Sequence, residues 1–204
     1  MNLPVSWAEI TISQYHKLIT IFNLFKEDAV ERQIHLLALF TGQSVKEIEK
    51  LKVTDLAFNT MKLSFMNELP DGKVTTHFDL KGKKYKACIL TSDMQAGQFV
   101  DFSHAGKGCS PEELPYHMHE LIACMCLTKK EGKWQYEGYT ETADDFLDMP
   151  MLQAYPYYVF FCNVLINLQK PILESSLKQL KKLVNKDKEA MEKIKKIEEK
   201  LELI

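Results

Sequence analysis

Apolar positions recur with a helical period along most of this chain and with a strand period in one stretch near the middle. Tyr15, Leu18, Ile19, Phe22 and Phe25 share one helical face, and Thr11 and Ser13 stand before them as caps. A second set, Val30, Ile34, Leu37 and Phe40, ends at Thr41-Gly42, where glycine suits the left-handed position past a helix end. Ser44-Val45-Lys46-Glu47 has capping-box form, with Ser44 and Glu47 each able to satisfy a free amide of the first turn. A short helix follows, and Thr54-Asp55 opens another running towards Met66. Beyond the turn at Asp71-Gly72 the period shortens. Residues 74–80 and 84–90 alternate on either side of Lys81-Gly82-Lys83, which predicts a β-hairpin over about 74–90. A lone hairpin is marginal in water, so it must pack on the helices or pair with another chain.

The helical period then returns. Thr91-Ser92-Asp93 caps a helix through Phe102, and Gly106-Lys107-Gly108 breaks it. Ser110-Pro111-Glu112-Glu113 has the cap, proline and acidic pattern of a new start, residues 116–127 continue as helix, and Lys129–Lys133 reads as an exposed loop. Thr140 or Thr142 caps a short acidic helix that Pro150 closes, and residues 151–170 form an apolar core helix. Pro171 marks a boundary. After it Leu173, Leu177, Leu180, Val184, Met191 and Ile194 follow four-three spacing, continued by Ile197 and Leu201, with Lys and Glu elsewhere. The expected architecture is mainly α: a helical domain over 1–170 with a small β-hairpin insertion, then a long amphipathic helix over 171–204. Such a terminal helix cannot cover its own apolar stripe, so those eight residues are candidate contacts with the domain, a second copy or a partner.

Composition adds bounds. At 204 residues, 46% hydrophobic and 26% charged, the chain can bury a substantial core without a metal or disulfides. A formal charge of -2 gives no global attraction to nucleic acid or anionic membrane. The first residues lack a signal-peptide pattern, and no stretch approaches the roughly 18 apolar residues of a membrane span. Five irregularly spaced cysteines fit free thiols in a reducing compartment.

Candidate chemistry is sparse. His117, His119, Cys124 and Cys126 have metal-ligand side chains, but on one helix they point to opposing faces and do not converge. Cys109, in a Gly-rich loop, is the best candidate for a reactive thiol, against the plainer reading of a surface connection. Glu141, Asp144, Asp145 and Asp148 could serve acid-base work, yet within one short helix they read as a solvated face. Lys81, Lys83, Lys84 and Lys86, and the lysines of the terminal segment, lack interleaved aromatic platforms, so nucleic acid is not expected as a partner. No catalytic residue, cofactor or metal is assigned, and binding other proteins is the favoured mode of action.

The order of several segments carries a resemblance. Trp7–Tyr15, Arg32–Gly42 with Val45–Ile48, Gly82–Tyr85, Gln95–Phe102, His119–Ala123 and Tyr158–Phe161 together resemble uncharacterised proteins of the structural and tail gene clusters of tailed bacteriophages, including crAss-like phages. It spans roughly residues 7–165 and brings no catalytic residues. It implies a virion protein, such as a portal or tail ring or adaptor component, or a tail assembly chaperone that leaves before the particle is finished. Expected partners are other phage structural proteins and further copies of the chain, with no membrane, in the virion or the host cytoplasm.

Overall fold

In the computed structural model, which describes residues 1–105 and 109–164, the first helix is fixed by reciprocal capping. Gln14 donates its backbone N–H to the Thr11 hydroxyl, and the Gln14 side chain accepts from the Thr11 amide. Helix α1 then runs Ile12–Leu24 and α2 Ala29–Thr41, the latter ending at Gly42 with φ 69°. Glu47 starts α3 (Val45–Ile48) by accepting from both the amide and the hydroxyl of Ser44. The expected capping box of Ser44 and Glu47 is present.

Helix α4 departs from expectation. It begins at Val53, not at Thr54-Asp55, and ends at Met61; a 3-10 turn over Ser64–Asn67 replaces the last predicted turn. Leu3, Leu18, Ile34, Leu36, Leu37, Ile48 and Leu63 form the buried centre of this helical half.

The predicted hairpin is present as β1 (His77–Leu80) and β2 (Lys83–Ala87), shorter than 74–90. Residues 126–135 correct the sequence reading. Helix α5 (Ala96–Ala105) follows a 3-10 turn at Thr91–Asp93 and so starts later than predicted. A 3-10 turn over Leu114–His117 then leads into α6 (Met118–Met125). The chain passes directly from α6 into β3 (Cys126–Lys130), turns, and returns as β4 (Lys133–Gln135). The result is a four-stranded antiparallel meander, β1-β2-β3-β4. Both hairpins turn through two residues with positive φ, Lys81 (50°) and Gly82 (74°), then Glu131 (49°) and Gly132 (81°). Paired positive φ gives a turn that matches strand twist. The sheet solves the problem of the lone hairpin: β3 pairs with β2, with Tyr85 opposite Thr128 and Ala87 opposite Cys126.

Helix α7 (Ala143–Phe146) and α8, described over 151–164, follow. The N-terminal strand-like segment is zipped onto this region, Ile12 donating to the Met149 carbonyl at 3.0 Å and Met151 to that of Ile10 at 2.7 Å. Gly72 lies so close to α8 that a Cβ there would sit 1.8 Å from the Leu152 carbonyl oxygen. Residues 1–158 make one compact unit; residues 159–204 make a second, helical over its described part, 159–164. The terminal helix predicted over 171–204 lies outside the described residues. Among the described residues no helix is long and apolar enough to cross a membrane.

Candidate functional site

Helix α4 carries the most unusual surface. At 100° per residue, Val53, Ala57, Phe58 and Met61 fall on one side and Asn59 on the other. The apolar side is turned outwards: Val53 is 82%, Phe58 64% and Met61 72% exposed. The polar Asn59 is turned in, where its amide donates to the Asp55 carbonyl at 2.8 Å and its oxygen accepts from Lys62 at 3.3 Å. The Lys62 ammonium also lies 4.8 Å from the centre of the Phe58 ring. Val53, Ala57 and Met61 thus form an exposed apolar strip, with Phe58 beside it beyond the exposed Thr54, while Leu56 packs on the core from the other side. Exposed apolar side chains grouped on one helix side mark a contact surface. Sequence reading missed it, although the i, i+4, i+8 spacing of Val53, Ala57 and Met61 was the available signal.

A groove of about 630 Å³ opens between α1 and α2, walled by Ile21, Ala38, Leu39 and Val45 and flanked by His16 and Tyr116. His16 also packs against His119, with ring centres 5.4 Å apart. Nε2 of His16 and Nδ1 of His119 are buried and have no hydrogen-bond partner among the described residues. Burial first, and then the neighbouring His119, lower His16 to about 4; burial likewise lowers His119. Both imidazoles are therefore neutral at pH 7.

The four metal-type side chains named in the sequence lie in separate surroundings. His117 is held by Glu120 at 2.9 Å, and His119 turns to His16. Cys124 is buried in α6 while Cys126 opens β3. Burial, then the charges of Asp101 and Glu120, push the Cys124 thiol up to about 12, and burial raises Cys126 well above its ordinary value. Among the described residues no three His, Cys, Asp or Glu side chains group to hold a metal ion. Cys109 is half-buried and its sulfur faces the Ala105 carbonyl at 3.9 Å.

The acidic helix and the lysine hairpin, read separately in the sequence, meet in the fold. Lys81 pairs with Asp148 and Lys83 with Asp145, both at 2.7 Å, and the Tyr85 hydroxyl donates to the same Asp145 carboxylate at 2.7 Å. Burial raises the Asp145 carboxyl, but the bonds from Lys83 and Tyr85 and the charges of Lys83 and Lys81 hold it below its ordinary value. Asp145 is thus no solvated residue; it clamps β2 to α7.

The predicted contact residues Leu173, Leu177, Leu180, Val184, Met191, Ile194, Ile197 and Leu201 lie outside the described residues. Compared with protein-family models, curated proteins and solved structures, the chain gives no significant match.

Proposed function

We propose that this chain is a non-enzymatic structural protein of a tailed bacteriophage, a portal or tail ring or adaptor component that works through contacts between protein subunits. The observation that carries this reading is the inverted partition of α4, with Val53, Phe58 and Met61 outside and Asn59 inside. Covering side chains of this size yields about 1.5–3 kcal/mol each. An assembly in which each subunit is held on two sides recovers that stabilisation at every contact. The occupant is the 171–204 segment of a neighbouring copy. Its four-three apolar pattern requires a matching apolar surface, and α4 offers one with the spacing of a helix–helix contact. Pairing a terminal segment of one copy with a domain face of the next is a heterologous contact, the kind that closes into rings.

The test is quantitative mass spectrometry of particles purified from the phage that encodes the chain. A fixed ratio to the portal protein, near one or a small multiple, is expected. Absence from particles together with abundance in infected cells would overturn the virion role in favour of an assembly chaperone.

A further inference from the structure

The outer face of the sheet is chemically unlike α4. Strand alternation turns Tyr85 and Ala87 inwards and Lys84 and Lys86 outwards. Register then assembles the outer face: His77 lies opposite Lys86 and Asp79 opposite Lys84. Tyr85 pairs with Thr128, which sets Lys129 level with Lys84, and Lys129 faces Trp134. Trp134 is half-buried, its ring 5.3 Å from that of His77, with the Lys129 ammonium 5.6 Å from its centre. His77, Asp79, Lys84, Lys129 and Trp134 frame a shallow hollow of about 400 Å³. A second hollow, about 570 Å³, lies between the two hairpin turns and shares Lys84 and Lys129 with the first.

The charge on this face is unbalanced. Lys81, Lys83 and Lys130 are occupied by Asp148, Asp145 and Glu137. Lys84 reaches Asp79 only at 3.5 Å with both groups well exposed, a contact worth little in water. Among the described residues Lys86 and Lys129, which lie on this face, have no carboxylate partner. Free cations therefore surround an aromatic pair, and the aromatic platform that the lysine segment lacks in sequence is supplied by β4.

We propose that this face binds single-stranded nucleic acid, with bases stacked on Trp134 and His77 and phosphates held by Lys84, Lys86 and Lys129. A phosphate alone has no use for the rings, and a duplex keeps its base faces stacked inside, so an unpaired strand fits both features. Lys84 and Lys86, two residues apart on one strand, stand about 7 Å apart and track a backbone rather than a point charge.

The test uses the full chain and a fluorescently labelled oligothymidylate about 12 nucleotides long. Anisotropy should rise at low salt, and log affinity should fall with log salt at a slope of about −2 for three phosphate contacts. Trp134→Ala should weaken binding roughly tenfold or more, and Lys129→Gln should flatten the slope by about 0.7. Base-free polyphosphate should compete poorly. No binding at low salt, equal competition by polyphosphate, or full affinity in Trp134→Ala would each overturn the proposal. If Trp134→Ala loses its cooperative thermal transition, the surface pair Lys84→Gln and Lys129→Gln decides: an unchanged slope in that double variant overturns it.

Discussion

Helix α4 and strand β2 each have one face inside and one outside, and they sort their residues in opposite ways. Strand β2 buries Tyr85 and Ala87, exposes Lys84 and leaves Lys86 half-buried. Helix α4 turns Leu56 onto the core but buries the polar Asn59 beside it and exposes Val53, Phe58 and Met61. The strand follows the ordinary partition, so its inner face supports the fold and its outer face is already soluble. The helix pays hydration for apolar surface that the described residues of its own unit leave open, and a further apolar protein surface removes that cost. A single aromatic side chain on each element turns this contrast into measurements.

The largest difference is expected from truncating the two aromatics. Tyr85→Ala should lower unfolding free energy by about 3–5 kcal/mol, since the ring is fully buried against Phe146 at 4.9 Å and Phe78 at 5.6 Å. Phe58→Ala, read by urea denaturation at a dilution where the chain is monomeric, should stay within about 0.5 kcal/mol. Similar losses at the two sites would break the contrast.

A smaller loss, about 2 kcal/mol, is expected for Tyr85→Phe, which deprives the Asp145 carboxylate of its hydroxyl donor. The folded pKa of Asp145 lies below its ordinary 3.8, so its contribution is present above that value and is lost as pH falls through the folded pKa. The gap between wild type and Tyr85→Phe should therefore close in acid. A gap that stays unchanged down to the acid transition itself would assign the loss to packing instead.

The smallest effect concerns the paired imidazoles. With His16 lowered from 6.5 to about 4 and His119 lowered as well, the unfolded chain binds more protons than the folded one in that window. Stability is full above pH 6.5 and declines as pH falls from there towards 4. His117, Glu120 and Tyr116 lie around the pair and Glu120 opposes the shift. His16→Phe should flatten the fall in Tm between pH 7.5 and 5, before most carboxylates protonate. Parallel curves for the two proteins would remove His16 from the explanation.

Local chemistry was legible in the sequence, and tertiary choices were not. Gly42 marked the end of α2, Glu47 the start of α3, and Lys81-Gly82 the first hairpin, because each acts on its immediate neighbours. Glu131-Gly132 carries the same turn signal as Lys81-Gly82. It was hidden because the apolar run Leu121–Leu127 suits a buried helix as well as a buried strand, and only pairing with β2 decides at Cys126. The face that α4 presents depends on what α2 offers it, which no local period encodes. The pairing of Lys83 with Asp145 joins residues 62 apart. The platform beside Lys129 was invisible for the same reason: Trp134 follows the Lys129–Lys133 stretch read as loop and was given no element of its own.

Sedimentation equilibrium of the full chain beside a Phe58→Glu, Met61→Glu double variant addresses the α4 surface most directly. The wild-type chain should associate reversibly at micromolar concentration, and the variant should remain monomeric with an unchanged thermal transition. A wild-type chain that stays monomeric throughout, or a variant that associates as strongly as wild type, would contradict a subunit contact on α4.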